Sequence, residues 1–346
     1  MVLTGQNGAK QKMRNESITL AHGSGGAESA SLLESVFIKH FNNEVLDRLE
    51  DSAVVSGLAV STDSFVVTPL FFPGGDIGKL AVYGTVNDVL MSGAAPRFLT
   101  CGFIVEAGLS IEKLDSISAS MAAAASEAGV MIVAGDTKVI EGRDENGGLL
   151  INTTGIGILD TDKNAVLPSG MRPGDAILVS GNLGDHHAAI LSARMGIKNS
   201  IKSDCALLTS IVRALDDEGI VIRAMRDITR GGLGTVLNEL AKASGVSVQI
   251  DEKRIPVDPE VRAFTGIMGL DPIYMGNEGK MVLAVAPEDA ERALACVRNT
   301  EIGCGAALIG YVSNTAGAPA LVTMRTRLGG TVRVDLLYGE GLPRIC

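Results

Sequence analysis

The chain has 346 residues, of which 46% are hydrophobic and 20% charged, a composition typical of folded domains and not of disordered chains. Aromatic residues make up only 3%, without any Trp, and the formal net charge is −10. These values argue against stacking grooves for single-stranded nucleic acid and against binding to a phosphate backbone. The acidic balance suits a protein that recruits divalent cations through carboxylates.

The cysteine pattern and the start of the chain indicate a cellular compartment. The five cysteines form no CxxC pair, and the polar stretch Met1–Ser17 lacks an apolar signal segment. No apolar stretch approaches the length of a membrane span. We therefore expect a cytoplasmic protein with reduced thiols and without a membrane or nucleic-acid partner.

Strands and helices are predicted to alternate in the first half. The glycine loop His22-Gly23-Ser24-Gly25-Gly26 precedes a helix whose apolar residues run from Leu32 to Phe41. The elements expected next are strands Ala53–Val60 and Phe65–Thr68, helix Lys79–Ser92, strand Phe98–Val105, helix Ser110–Ala128 with Ser110 as N-cap and Gly129 as its stop, and strands Val130–Ala134 and Leu149–Leu159.

The polar stretch Asp160–Gly174 is the expected boundary between two domains. The elements expected after it are strand Ala176–Ser180, helices His187–Met195, Ala206–Asp217 and Leu233–Ala243, strands Val246–Ile250 and Met281–Ala286, helix Pro287–Arg298, strand Ala306–Val312 and a hairpin within Leu321–Leu336. This alternation predicts an α/β or α+β class. We divide the chain into an N-terminal segment 1–43, domains 44–162 and 170–337, and a tail 338–346.

The chain does not match the familiar nucleotide-binding motifs. The run Gly74–Lys79 is one residue short of P-loop spacing, and Leu80 replaces the Mg²⁺-binding Ser or Thr. The Gly23-Ser24-Gly25 run lacks the third glycine of a dinucleotide fingerprint, because residue 28 is Glu. Neither HExxH nor zinc-type Cys/His spacing occurs.

Four aspartates remain as candidate ligands. Asp63, Asp88, Asp136 and Asp227 are expected at or near the ends of strands and helices, except Asp88, which lies inside an apolar helix. Each one alone is commonly a cap or turn residue, although a carboxylate among apolar residues is costly to bury unpaired. Together they offer the hard oxygen ligands that a Mg²⁺–nucleotide site needs.

Several further residues could be reactive, and each has a simpler alternative. Arg226–Gly232 could bind an anion at a helix N-terminus or be an ordinary capped helix start. Lys138 and Glu278 could face the site or lie in solvated turns. The pair His186-His187 could bind metal, but adjacent side chains point apart on a helix, which favours surface or packing roles. Cys346 follows a glycine-containing run and could be a mobile thiol or a frayed end.

The ordered set of motifs resembles the AIR-synthetase (PurM-like) superfamily of ATP-using enzymes, and within it the HypE family of hydrogenase maturation proteins. The matching segments run from residue 22 to residue 346: His22–Gly26, Thr62–Ser64, Gly84–Asp88, Gly135–Val139, Asn152–Gly155, Gly184–His186, Asp227–Gly232, Asn277–Lys280 and Pro343–Cys346.

The resemblance implies a two-domain fold. The N-terminal domain would pair with its twin in a β-barrel-like homodimer core with helices outside, bind ATP near the interface, and be followed by an α/β domain. It also implies a reaction: HypF carbamoyltransferase loads a carbamoyl group onto Cys346, and ATP-dependent dehydration converts it to a thiocyanate. The cyano group then passes to a HypC–HypD iron carrier for the [NiFe]-hydrogenase centre.

Roles for individual residues follow from the same resemblance. Lys138 and Glu278 would act as general bases and Cys346 as the acceptor, with ATP and Mg²⁺ as cofactors. His187 stands where the family is expected to carry Gly, which weakens any role for the 184–187 loop. Nucleotide-binding roles fall on Asp63, Asp88, Asp136 and Asp227, which would also hold Mg²⁺, and on Thr229, Arg230, His22, Gly25, Gly26 and Asn87.

Two other functions compete with this interpretation. A selenophosphate synthetase needs a reactive Cys near its N-terminus, whereas no Cys precedes residue 101 here, and a thiamine-phosphate kinase would not need a terminal thiol. A non-enzymatic carrier of the cyano group would keep Cys346 but would not need the four aspartates.

Overall fold

The computed structural model describes residues 17–41, 43–142, 147–160, 164–315 and 317–337. Cys346 and the rest of the tail therefore lie outside the described residues. None of the helices in the described ranges combines the length and the apolar character that crossing a bilayer requires.

A five-stranded sheet forms the first half, with the strand order β1-β2-β7-β5-β6. Only β5 and β6 run parallel, and the other neighbours are antiparallel. Helices α2 and α3 pack together, and α2 also contacts strands β2 and β7 of the sheet. The bounds in this half are α1 Ala27–Leu32, β1 Ala53–Val55, β2 Leu58–Phe65, β3 Phe71–Phe72, β4 Gly75–Asp76, α2 Ile77–Met91, β5 Ala95–Glu106, α3 Ile111–Ala128, β6 Met131–Ile140 and β7 Leu149–Ile158.

A seven-stranded sheet forms the second half, with the strand order β14-β13-β10-β12-β8-β11-β9. Its central strands β8 and β11 are buried along their whole length, as expected where helices cover both faces. The bounds are β8 Ala176–Val179, α4 Asp185–Arg194, α5 Thr209–Asp217, β9 Ile222–Asp227, α6 Gly232–Ser244, β10 Ser247–Asp251, α7 Pro259–Met268, β11 Met281–Val285, α8 Ala290–Arg298, β12 Ala307–Ser313, β13 Val322–Arg325 and β14 Thr331–Arg333.

Helix α2 lies between the two halves, which explains why almost all of its residues are buried. The Asp76 side chain caps its start by accepting hydrogen bonds from the backbone N–H groups of Gly78 at 2.7 Å and Lys79 at 3.1 Å. The Asn87 amide donates to Ala206 O at 3.0 Å and accepts from Leu208 N at 2.9 Å. The helix is thereby fastened to the loop of the second half.

Several predicted elements differ from the observed ones. The expected strand Ala53–Val60 is a hairpin, because Ser56 and Gly57 adopt positive φ angles and reverse the chain. No strand covers Phe65–Thr68, since β2 ends at Phe65. The strand expected over Val130–Ala134 begins one residue later and continues to Ile140. Strand β9 and helix α7 were not predicted, whereas the Ser110 cap and the Gly129 stop of α3 are confirmed.

One face of the first sheet is open. Along β2 the residues Ala59, Ser61 and Phe65 are buried towards α2, whereas the alternating residues between them are exposed. Every residue of the edge strand β6 is exposed, including several apolar ones such as Met131 and Val139. An uncovered apolar edge strand is a surface that another chain can pair with.

Candidate functional site

Three of the four predicted aspartates come together around the C-terminal part of α2. Asp63 lies on β2, Asp88 lies on α2, and Asp227 is the last residue of β9. Asp227 is 5% exposed, while Asp63 and Asp88 are half-buried. The three carboxylates therefore cluster where α2 meets β9 of the second half, a region that we call the cleft, and Asp63 and Asp88 are partly accessible to solvent there.

The mutual repulsion of these carboxylates shows in their pKa values. Burial, followed by the charge of Asp51, raises the pKa of Asp227 to about 8. Burial raises the pKa of Asp88 well above its usual value, and the charges of Asp227, Asp51 and Asp63 add to this effect. The Ser61 hydroxyl, which donates to Asp88 Oδ2 at 2.9 Å, opposes the shift. Such clustering of perturbed carboxylates is typical of functional sites.

Asp51 is a member of the cluster that the sequence did not reveal. Its Oδ1 accepts a hydrogen bond from Arg226 Nε at 2.6 Å, and Arg226 Nη1 lies 2.9 Å from Glu239 Oε2. Burial raises the pKa of Asp51, and the Arg226 charge opposes that shift. Arg226 stands beside Asp227 in the sequence, so one strand end supplies both a carboxylate and the cation that offsets its neighbours.

Glu278 reaches the cluster from the second half. Its carboxylate passes close to α2 at Gly84, where a Cβ would lie 3.8 Å from Glu278 Oε2. Glu278 is 6% exposed, and burial raises its pKa well above the usual value, followed by the charges of Asp227 and Asp63. A buried carboxyl group in this position is a candidate for proton transfer once it is ionised.

Asp136 and Lys138 do not join the cluster within one chain. Across the sheet, Asp136 pairs with Gly102, Gly102 with Asn152, and Asn152 with Ser64. Paired residues share a face, so Asp136 lies on the open face, opposite the face that Asp63 shares with Ser61. Asp136 and Lys138 form an exposed ion pair with each other, and their hydrogen bond lowers the pKa of Asp136.

The glycine loop packs against the turn that begins α6. A Cβ on Gly25 would lie 3.1 Å from the backbone of Arg230, and one on Gly26 would lie 2.2 Å from Leu337 O. Gly25 has a φ of 78°, so a side chain there would be both strained and crowded. Arg230 donates to Gly23 O at 3.4 Å. Burial raises the pKa of Glu278, and the charge of Arg230 opposes that shift. The loop thus borders the carboxylate cluster.

Leu337, the last described residue of the chain, is hydrogen-bonded to the residue that follows this loop. Its carbonyl oxygen accepts a hydrogen bond from Ala27 N at 2.9 Å. The segment that leads to Cys346 therefore leaves the described part of the molecule beside the glycine loop. Nearby, Thr229 is half-buried and accepts from Gly232 N at 3.0 Å, while the ring of His22 bonds to Thr19.

Of the remaining candidates, Asn87 and His186 have local bonding partners, and His187 is buried. Both polar atoms of the Asn87 side chain are engaged by the loop backbone, which gives it a structural role. His186 contacts Ser203 Oγ at 2.7 Å and the Phe72 ring, and His187 is 2% exposed. Burial lowers the pKa of His187 to about 3, so it stays neutral. The packing role predicted for this pair agrees with these contacts.

The donor set suits Mg²⁺ better than a softer metal. Asp51, Asp63, Asp88 and Asp227 offer only hard carboxylate oxygens, and a divalent cation would relieve the repulsion that raises two of their pKa values. Within the described residues, no three such side chains already stand in a geometry that closes around a metal by themselves. Phosphate oxygens commonly complete a site of this kind.

Comparison with known proteins identifies the family to which the chain belongs. Residues 49–159 match the family model for the N-terminal domain of AIR synthase related proteins, and residues 172–319 match the model for their C-terminal domain. A carbamoyl dehydratase HypE from Azotobacter vinelandii is 47% identical over 347 residues, which cover 96% of this chain and 98% of that protein. The chain belongs to the HypE family of AIR synthase related proteins.

Solved structures of the HypE family share the fold. A crystal structure of a HypE–HypF complex matches with a TM-score of 0.83 and 45% identity, covering 89% of this chain and 100% of that one. A structure of HypE in complex with ATP matches with a TM-score of 0.80 and 47% identity, covering 95% and 100%. The resemblance and the PurM-like α/β fold expected from the sequence are therefore confirmed.

Proposed function

We propose that this chain is an ATP-dependent carbamoyl dehydratase that converts a carbamoyl group on its own Cys346 to a thiocyanate during hydrogenase maturation, in the cytoplasm. The observation that carries the proposal is the buried Glu278 carboxylate beside Asp63, Asp88 and Asp227 in a chain 47% identical to a carbamoyl dehydratase. Transfer of a phosphoryl group alone needs the aspartates, whereas dehydration of an amide also needs a base for its nitrogen.

The reaction balances as an ATP-driven loss of water. The carbamoyl oxygen on Cys346 attacks the γ-phosphorus of ATP and releases ADP, because oxygen leaves more readily as phosphate than as hydroxide. The nitrogen gives up two protons, and the carbon–oxygen bond breaks as the carbon–nitrogen triple bond forms. The products are the Cys346 thiocyanate, ADP and phosphate.

The residues around the cleft have complementary roles in this proposal. Asp63, Asp88, Asp227 and Asp51 would hold Mg²⁺, which neutralises charge on the phosphates when it is bound. Arg230, Thr229 and the glycine loop with His22, Gly25 and Gly26 would border the phosphates at the start of α6. Glu278 would accept a proton from the nitrogen. A cysteine nine residues after Leu337 lies at most about 30 Å from the glycine loop, which allows Cys346 to enter the cleft.

A homodimer would complete the site. The open face and edge of the first sheet carry Asp136 and Lys138, so a second copy paired there would bring these residues towards a partner's cleft. Lys138 could then serve as the second base and Asp136 as a further Mg²⁺ ligand. A HypF carbamoyltransferase would load Cys346, and a HypC–HypD complex would receive the cyano group. That HypE and HypF form a complex in a family member supports the first of these partners.

Mass spectrometry of the C-terminal peptide tests the proposal. Protein carbamoylated by HypF should lose one water at Cys346 only when ATP and Mg²⁺ are added. Cys346→Ala should remove the modification but retain ATP binding, and Glu278→Gln should retain the carbamoyl adduct. A carbamoyl adduct that persists in the wild-type protein with ATP would exclude the dehydratase and favour a carrier.

A further inference from the structure

A buried ion pair lies behind the turn that carries Glu278. Lys280 Nζ stands 3.6 Å from Asp204 Oδ2, and the two side chains are 10% and 3% exposed. Burying two charges costs solvation free energy, and the attraction between them often does no more than offset this cost. Neither residue belongs to the proposed nucleotide site, so the pair needs another explanation.

The pair holds the backbone on both sides of Glu278. Asp204 Oδ1 accepts a hydrogen bond from Glu278 N at 3.1 Å, and Lys280 Nζ donates to Gly279 O at 3.3 Å. The Glu278 carbonyl accepts from Ala206 N at 3.3 Å. The N–H and the carbonyl group of Glu278 are thereby both fixed to the 204–206 segment, which leaves its side chain little freedom to move away from α2.

Within this pair, the Asp204 carboxylate places a negative charge near the Glu278 carboxyl. After burial, the charges of Asp227, Asp63 and Asp204 raise the pKa of Glu278, and the charge of Arg230 opposes them. Asp227 and Asp63 face the proposed cation site, where a bound cation would neutralise them. Asp204 faces Lys280 instead. The buried Cys205 thiol also lies near Glu278, and burial raises its pKa, so it adds no charge near neutral pH.

We propose that Asp204 and Lys280 are positioning residues for Glu278, which hold the backbone on both sides of it so that its carboxyl stays beside α2 when nucleotide and cation occupy the cleft. This inference rests on the proposed role of Glu278 as a base. Asp204 supplies both the acceptor for Glu278 N and a negative charge near the Glu278 carboxyl, and Lys280 orients Asp204 through their ion pair. Asp204→Asn separates the hydrogen bond from the charge, because the new side chain retains an acceptor oxygen but is neutral.

The titration of Glu278 tests this inference without requiring catalysis. In full-length protein with ¹³C-labelled Glu carboxyls, the Glu278 signal is assigned by its loss in Glu278→Gln, and its pKa is followed by NMR with and without Mg²⁺ and ATP. We expect Asp204→Asn to lower the pKa of Glu278 and Lys280→Met to raise it. The double variant should lie between the two. Glu252→Gln, which breaks an exposed pair with Arg327, is the matched control and should leave the pKa unchanged.

The rate of water loss gives a second reading. Asp204→Asn should shift the ascending limb of the pH–rate profile to lower pH with a similar plateau, because it removes a charge and keeps the acceptor for Glu278 N. Lys280→Met frees Gly279 O and Asp204 and should lower the plateau by up to about 100-fold, the loss that a displaced catalytic group can cause. An unshifted Glu278 titration in both single variants would overturn the inference, even if their melting temperatures fell. Shifted titrations in a wild-type protein that loses no water would instead contradict the dehydratase proposal and leave the positioning role intact. If Asp204→Asn fails to fold, Lys280→Met and the double variant decide.

Discussion

The Ser61 hydroxyl on strand β2 donates a hydrogen bond to Asp88 Oδ2 on helix α2 at 2.9 Å, so this sheet and helix meet through a polar contact. We expect Ser61→Ala to reduce the free energy of unfolding by about 1–2 kcal/mol, because a half-buried carboxyl loses its donor. Urea unfolding at pH 7 measures the loss. Ser116→Ala removes an exposed hydroxyl bonded to Glu112 O and should change stability little. Equal effects of the two substitutions would mean that the contact contributes nothing specific.

The raised pKa values predict an unusual dependence of stability on pH. Asp227 has a pKa of about 8 in the folded chain and an ordinary value near 4 when unfolded, so the folded state binds more protons between these values. This stability is fully present below about pH 4 and is lost as the pH rises through about 8. We expect wild-type protein without Mg²⁺ to unfold at lower urea concentrations at pH 8 than at pH 6.

Two controls accompany the pH measurement. Asp227→Asn should flatten the slope, because the titrating group is removed. Mg²⁺ with ATP should stabilise the protein more at pH 8 than at pH 6, since the carboxylates must be ionised to bind the cation. A stability that increases over this range, or a slope unchanged in Asp227→Asn, would show that other groups dominate.

Gly279 predicts a strict requirement for glycine in the Glu278 turn. A Cβ at this position would lie 2.0 Å from Asp204 O and 2.8 Å from Ala206 N, both of which are backbone atoms. Gly279→Ala should therefore lower the free energy of unfolding by about 1–3 kcal/mol and displace Glu278. Gly266→Ala, in α7 with no atom within 4 Å of the added Cβ, should stabilise the chain by about 0.5–1 kcal/mol. Thermal unfolding of both variants compares them directly.

The exposed edge strand predicts that the chain is a dimer. Val139 on β6 is 71% exposed, and Val139→Lys should shift light-scattering masses from dimer to monomer, because a charge would be buried at the interface. Ile267→Lys replaces an apolar residue that is 85% exposed on α7 and should leave the dimer intact. A wild-type mass equal to one chain at every concentration would refute the dimer.

Mixed dimers test whether Lys138 serves the partner's site. Lys138→Ala and Glu278→Gln chains should each be inactive alone. If each cleft uses Glu278 from one chain and Lys138 from the other, a dimer of one chain of each kind has about half of the wild-type sites intact. Water loss from Cys346 is then restored on mixing, whereas two bases from one chain would leave every mixed dimer inactive.

Local patterns predicted much of the fold and part of the site. The apolar run around Asp88 identified a buried helix with a carboxylate in it, and Ser110 and Gly129 marked both ends of α3. The strand β9 escaped prediction because its residues, Ile222 to Asp227, mix charged and apolar side chains without a clear period. Asp227 was thus expected at a helix start, although it also ends a strand.

The residues that sequence reasoning missed act through distant partners. Asp51 lies in a short polar stretch, and its partner Arg226 is 175 residues away in the chain. Asp204 meets Lys280 and the Glu278 backbone across a smaller gap, of 74 residues to Glu278. Such pairings follow from tertiary packing between and within the two halves, so local sequence patterns do not predict them. Asp136 and Lys138 show the converse, because their spacing suggested a shared cleft that the sheet register separates from Asp63.

The hydrogen bond from Ala27 N to Leu337 O also sets the local concentration of the Cys346 thiol near the glycine loop. One thiol confined within about 30 Å of the glycine loop is present there at roughly 10 mM, whatever path the last nine residues take. A free thiocarbamate would have to be supplied at that level to saturate the cleft equally. In the proposed reaction, a carbamoyl group on this thiol would therefore fill the cleft even if it bound weakly, and weak binding would let the same group leave for a carrier once it had reacted.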